Sequence, residues 1–344
     1  LIIIVKTEIT SSINVSNWID CQLCKKEKVL ITGAAGFVGS ALSARLIEGG
    51  LNSLVLLSRD AIPLESSELF TSRFELAPDS DLHLILKDVG IVVHLAARVH
   101  VMNDKSDDFI SEYRRDNLDA ATNLARQSAA SGVKRFIFMS SVKVNGEFTS
   151  GDNVFSAEDI PSPQDPYGVS KLEAEMALKK IAEETGMEVV IIRAPLVYGP
   201  KVKANFLSMM KWLRKGLPLP FGCIQNCRSL VGLDNLVDLI VTCLDHPKAA
   251  NQIFMVSDDD DVSTSSLLKE MSAALGCKAN LICIPSSLLR MAFFLIGKKS
   301  LSQRLLGSLR VDISKTKEML NWHPPVSFEE GIRRTAEDFL ERVD

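Results

Sequence analysis

No stretch of the 344-residue sequence reaches the roughly 18 uninterrupted apolar residues that an ordinary membrane-spanning helix needs. The best candidate, LLRMAFFLIG (288–297), is short and carries Arg290. It is expected to be the buried face of a helix, with no insertion into a membrane. A large excess of either charge is also missing. The net charge of -4 gives no reason to expect nucleic acid or an anionic membrane as a partner. The N-terminal LIIIV lacks a basic leader and a small-residue cleavage site, so a cytoplasmic location is expected. The seven cysteines are odd in number, which argues against a full disulfide framework. Cys21 and Cys24 have the spacing of half a zinc site, but no second pair follows at ligand spacing. No metal is expected, and the thiols read as uninvolved.

With 46% hydrophobic residues the chain can bury a sizeable core. Residues 1–27 show no clear periodicity and are set apart as an extension of unknown role. From Lys28 onward, apolar segments at 28–33, 53–58, 90–97, 135–141 and 188–194 alternate with helix-like stretches at 38–48, 109–131 and 170–185. Strands alternating with helices imply βαβ units, hence an α/β fold with a doubly wound, mostly parallel sheet. Their continuous apolar character suits strands covered on both faces. After about residue 195, prolines and glycines punctuate shorter elements, which predicts a smaller C-terminal lobe. The expected division is a dinucleotide-binding domain over 28–195 and a mainly substrate-binding lobe over 196–344. Within the latter, 230–257 is expected to return to the first domain through a helix at 234–246 and a strand at 252–257. The acidic run Asp258–Asp261 reads as a solvated turn before a helix with a Ser or Thr cap.

Gly33, Gly36 and Gly39 lie between the first strand and the first helix, in KVLITGAAGFVG. Glycines here permit the tight turn, close backbone approach to a pyrophosphate and close helix–sheet packing. The helix N-terminus then presents free N–H groups to the phosphates. This predicts an NAD(P) cofactor. At the end of the second strand, Ser58 stands where a carboxylate would favour the 2′-hydroxyl of NAD. Arg59 follows it and suits the 2′-phosphate of NADP, which tilts the expectation toward NADP(H), although Asp60 is adjacent.

Tyrosine is scarce, with three in the chain, yet one of them stands in DPYGVSK (165–171) four residues before a lysine. At that spacing Tyr167 and Lys171 share one helix face. A phenol titrates near pH ~10 and is a poor base at neutrality unless a neighbouring ammonium favours the phenolate. In FMSSVKVNG, Ser140 and Ser141 both offer a hydroxyl for the substrate oxygen. The ordered motifs TGAAGFVG, VVHLAA, FMSSVKVNG, PYGVSK and RAPLVYGP resemble the extended short-chain dehydrogenase/reductases, over about residues 28–325. Within that group they resemble the UDP-glucose 4-epimerase branch of NAD-dependent epimerases and dehydratases.

The resemblance implies a Rossmann domain with a catalytic set of Ser141, Tyr167 and Lys171, Ser141 also touching substrate. It implies cofactor contacts at Phe37, Val38, Leu95, Ala96, Ala97, Asn117 and Pro195, with His94 a structural histidine. It places a nucleotide diphosphate on Asn205 and Arg228, with Arg304 as a further phosphate ligand. It implies a UDP-sugar as substrate and a homodimer paired through 109–131 and 170–185. Departures are Asn145 in VNG, where many 4-epimerases have VYG, and Leu196 in place of an asparagine that touches sugar in some relatives. SSVKVNGE and KANFLSMMKWLRKGLPLPFG look most like UDP-N-acetylquinovosamine dehydrogenases. The function expected is therefore reduction of a UDP-4-keto-6-deoxy-N-acetylhexosamine for surface polysaccharide synthesis. The alternative is a UDP-glucose/UDP-N-acetylglucosamine 4-epimerase. A third possibility, a non-catalytic dinucleotide sensor, sits poorly with the presence of both Tyr167 and Lys171.

Overall fold

A computed structural model describes residues 27–51, 53–61, 69–99 and 109–343. Cys21 and Cys24 lie outside the described residues. In chain order the elements are β1 (Lys28–Thr32), α1 (Phe37–Glu48), β2 (Leu54–Ser58), β3 (Leu69–Arg73), β4 (Val89–His94), α2 (Phe109–Tyr113), α3 (Ala120–Ala130) and β5 (Arg135–Ser141). There follow α4 (Pro166–Thr185), β6 (Glu188–Ala194), β7 (Leu196–Tyr198), α5 (Ala204–Arg214), β8 (Arg228–Gly232), α6 (Leu233–Asp245) and β9 (Ile253–Met255). The chain continues with β10 (Asp261–Val262), α7 (Thr264–Ala274), α8 (Ser286–Leu295), α9 (Lys299–Leu306), α10 (Ser314–Leu320) and α11 (Phe328–Val343).

Seven parallel strands form the main sheet in the order β3-β2-β1-β4-β5-β6-β9. Every residue of β2 and β4 is buried, as expected for strands with helices on both faces. The chain reverses its direction of winding between β1 and β4, which opens a crevice at their carboxyl ends. A second sheet, β10-β8-β7, lies over a separate apolar cluster that includes Phe206, Met210, Leu268 and Phe339. Of the 230–257 stretch, α6 and β9 pack with the main core while β8 lies in the small sheet.

Four expectations need correction. Residues 109–131 are not one helix, because a π-helical turn at Arg114–Asp119 separates α2 from α3. The LLRMAFFLIG run is not a buried face: in α8 only Leu289 is buried. Cys223 and Cys283 are not uninvolved thiols but form a disulfide, with their Cα atoms 4.8 Å apart. Asp258 is not in a solvated turn. It is buried and accepts hydrogen bonds from the Tyr198 hydroxyl (2.7 Å), the Gly232 N–H (2.7 Å) and the Asn235 amide (2.7 Å). The Ser cap does form, with Ser263 accepting from the Ser266 N–H at the start of α7.

Candidate active site

Gly33 has φ +72°, a left-handed conformation that favours glycine, and a Cβ there would stand 2.8 Å from the Ala96 N. A Cβ on Gly36 or Gly39 would stand 2.9 or 2.2 Å from the Gly33 carbonyl oxygen. Gly36 caps α1 with extended backbone, no side chain caps the helix, and its first turn holds no acidic residue. Backbone N–H groups and the positive end of the helix therefore face the crevice, which fits a pyrophosphate. Phe37 and Val38 begin α1 and pack partly into the core. A cavity of about 190 Å³ opens beside them, lined by Gly33, Gly36, Ser58, Arg59, Leu95, Ala96 and Ala97 among others. Phe74 and Leu76, just beyond β3, also wall it. The sequence reading missed β3 and therefore missed this wall.

The acid–base candidates lie further along the same sheet edge. β5 and β6 pair in register, so that Ser140 is opposite Arg193 and Ser141 opposite Ala194, next to the buried Pro195. The start of α4 is fixed by Asp165, whose carboxylate accepts from the Gly168 N–H at 2.7 Å, and by Pro166 in the first turn. A Cβ on Gly168 would stand 2.8 Å from the Lys143 carbonyl oxygen. Glycine there lets α4 approach the turn after Ser141. Lys143 closes the same junction through an ion pair to Asp165.

Tyr167 is half-buried and meets the Tyr113 ring edge-on, with centroids 6.2 Å apart. Burial raises its pKa well above the ordinary phenol value, Asp165 and Tyr113 add to the rise, and the Ser141 hydroxyl beside it pulls the other way. Lys171 is fully buried: its Nζ donates to the Met139 carbonyl at 2.8 Å and lies 4.4 Å from the Phe138 ring centroid. Burial pulls its pKa down to about 7, against an upward contribution from Glu175. Asn117, in the π-helical turn, is buried, donates to the Ser170 hydroxyl at 3.1 Å and accepts from the Arg98 N–H at 2.8 Å. His94 stacks on Phe138 at 5.8 Å and its Nδ1 lies 2.7 Å from the Thr32 hydroxyl. Burial first, and Lys171 second, push its pKa to about 3, so it is neutral.

The three residues expected at a nucleotide diphosphate are less tightly grouped. Asn205 is exposed near the start of α5. Arg228 begins β8, donates to the Gly307 carbonyl at 3.2 Å, and has its pKa lowered by burial and by the nearby Arg304. A guanidinium with a second guanidinium nearby suits an anion between the two. A larger cavity of about 710 Å³, bounded by Phe148, Gln225, Arg290 and Gly307, lies close by, yet none of these three residues lines it.

One buried group of charges was not anticipated. Arg193 and Glu175, each with a side chain 2% exposed, form a two-pronged ion pair at 3.0 and 2.6 Å. The Ser140 hydroxyl donates to Glu175 at 2.5 Å, and Arg193 donates to the Asn145 side chain at 3.0 Å. A carboxylate one turn beyond Lys171, and an arginine ending the apolar segment EVVIIRA, were the signals available in the sequence.

A model of the NAD dependent epimerase/dehydratase family matches residues 29–257. This chain belongs to that family. It is an enzyme of an NAD-dependent class, and its Rossmann-like sheet matches that of family members of known structure. A UDP-glucose 4-epimerase of Vibrio cholerae is 48% identical over 316 residues, covering 92% of this chain and 96% of that one. A solved structure of MoeE5 in complex with UDP-glucose and NAD is 26% identical with a TM-score of 0.73, covering 92% of this chain and all of the other. The UDP-glucuronic acid 4-epimerase from Bacillus cereus in complex with NAD superposes with a TM-score of 0.75 at 22% identity, over 92% of this chain and all of the other, a likeness of fold. The tilt toward NADP(H) finds no support. Arg59 is exposed at the cavity rim, its carbonyl accepts from Arg73, and the family and the bound relatives use NAD.

Proposed function

We propose that this enzyme is a UDP-hexose 4-epimerase, inverting C4 of a UDP-linked glucose or N-acetylglucosamine and of the matching C4 epimer. The observation that carries the reading is the grouping of Ser141, Tyr167 and buried Lys171 beyond a glycine cradle, in a chain 48% identical to a UDP-glucose 4-epimerase across nearly its whole length. The expectation of a 4-ketoreductase rested on the stretches SSVKVNGE and KANFLSMMKWLRKGLPLPFG, with slight support from Arg59, whose exposed position gives it no special weight.

In this reading Gly33, Gly36, Phe37, Val38 and Gly39 hold the dinucleotide pyrophosphate, while Ser58 and Leu95–Ala97 border its adenosine end. Asn117, Lys171 and Pro195 face the nicotinamide half. NAD, when bound, supplies the group that takes a hydride from C4 and returns it. Tyr167 takes the proton from the 4-hydroxyl and gives it back after the sugar has presented its other face. Ser141 holds the same oxygen by a hydrogen bond, and Lys171 stabilises the phenolate. Asn205, Arg228 and Arg304 hold the diphosphate, so that binding far from C4 restrains the UDP end while the hexose turns. A homodimer paired through α3 and α4 is part of the same proposal.

The purified chain is incubated with UDP-glucose or UDP-N-acetylglucosamine and the products are resolved by chromatography. The C4 epimer is expected, with no net change in reduced dinucleotide. Tyr167→Phe is expected to slow this by at least about a hundredfold, the lower range for losing a positioned acid–base group. Stoichiometric consumption of NADH with UDP-4-keto-6-deoxy-N-acetylglucosamine, with no epimerisation, would restore the reductase reading.

A further inference from the structure

Exposed large hydrophobic residues cluster along α8 and the residues around it. Leu288, Met291 and Leu295 are 51%, 55% and 75% exposed and recur at i, i+3 and i+7 along one face of the helix. Ile282 before the helix, Phe294 within it and Ile296 just after it are also among the exposed large hydrophobics. The opposite side carries the buried Leu289 and the partly buried Phe293, which seat the helix on the second apolar cluster. Arg290 donates to the Leu306 carbonyl at 3.0 Å, tying α8 to α9. The apolar face is therefore held outward by its own packing, and Leu288, Met291, Leu295 and Ile296 line neither of the two cavities. Water-facing helices carry polar residues on this side, and a contiguous apolar patch on one marks a contact surface.

Charge identifies the partner. Residues 271–311 contain six cationic residues and no aspartate or glutamate, within a chain whose net charge is -4. Two of the cations, Lys278 and Lys298, are exposed and flank α8 in the chain, one before it and one after it. The overall balance of the chain hides this local excess, which is why composition gave no hint of a membrane. A helix with large apolar tips, flanked by lysines and free of carboxylates, matches a bilayer surface, where acyl chains accept the tips and anionic headgroups accept the cations. At ten residues and about 15 Å, α8 is too short to cross a bilayer. We propose that the α8 face docks this enzyme peripherally on anionic membranes.

The full chain is sedimented with phosphatidylcholine vesicles, with and without phosphatidylglycerol, at low and high salt. Binding is expected with the anionic vesicles at low salt and is expected to fall at high salt. Lys298→Gln should weaken it about fivefold, the share of one cation near such a surface. Leu295→Glu should weaken it at least about tenfold. Both positions are solvent-facing and outside the proposed catalytic set, so epimerisation of a water-soluble UDP-sugar should continue at the wild-type rate. That separates failure of docking from failure of the proposed function. Equal sedimentation with both vesicle types, or full binding by Leu295→Glu, overturns the inference. So does self-association without vesicles that Leu295→Glu abolishes, since the face would then be a contact between chains.

Discussion

Arg193→Met tests whether the buried ion pair behind the acid–base candidates matters as its geometry suggests. The substitution roughly preserves length and apolar stem but removes the only cation that contacts Glu175 among the described residues. Glu175 is buried and keeps only the Ser140 hydroxyl as a donor. Breaking one side of a buried ion pair costs about 3–5 kcal/mol. The expected loss of stability is therefore about 3–5 kcal/mol.

Urea unfolding of wild type and variant measures this directly, given unchanged slopes. The double variant Arg193→Met/Glu175→Leu should recover most of the stability, because removing both charges leaves no unpaired ion. Asn145 would still lose a donor, which holds the recovery about 1–2 kcal/mol short. A loss below about 1 kcal/mol, or a double variant no more stable than Arg193→Met, refutes the reasoning. The outcome also bears on the site, since the network ties the end of β5 to α4 one turn beyond Lys171.

Two further outcomes follow from local geometry. In Gly39→Ala, the new Cβ would meet the Gly33 carbonyl oxygen and the Ala34 Cα, both backbone atoms that cannot swing aside. Calorimetric titration with NAD should show affinity weakened at least about tenfold, and unchanged affinity would show that the cradle is not used. Lys171 has a folded-state pKa of about 7, below the ~10.4 of an unfolded lysine. Between those values the unfolded chain binds the extra proton, so this group makes stability rise with pH from about 7 to about 10; below pH 7 its full penalty is present. Lys171→Met should flatten that rise in urea midpoints, and a parallel rise in the variant would assign it elsewhere.

The parts of the fold that could be read from the sequence were those where one physical effect dominates. Strands β1, β2, β4, β5 and β6 lie within three residues of their expected positions because each is a largely apolar run covered on both faces. β3 escaped because it is the sheet edge. Its Phe70 is exposed, and LFTSR offers neither an apolar run nor clear alternation. α8 was recognised as apolar, but an apolar run does not say which side faces the core. The disulfide was invisible because 60 residues separate its cysteines. Backbone bonds between Leu219 and Ile282, and between Gly222 and Ile282, bring the two segments together.

Ser141, Tyr167 and Lys171 could be named from spacing, yet spacing alone gave the wrong electrostatics for the protein's own groups. One helical turn between Tyr167 and Lys171 suggests an ammonium that eases loss of the phenolic proton. In the folded chain the lysine Nζ is 6.0 Å from the tyrosine ring centroid and spends its hydrogen bond on the Met139 carbonyl. Burial outweighs the pairing for both residues, raising the tyrosine pKa and lowering the lysine pKa to about 7. At neutral pH, therefore, the fold holds a firmly protonated phenol beside a lysine balanced between its two forms. Glu175 works to keep this lysine protonated, and Glu175 is itself paired with the buried Arg193. The buried pair is thus linked to the acid–base candidates through electrostatics as well as packing, a link that follows from burial and does not show in residue spacing.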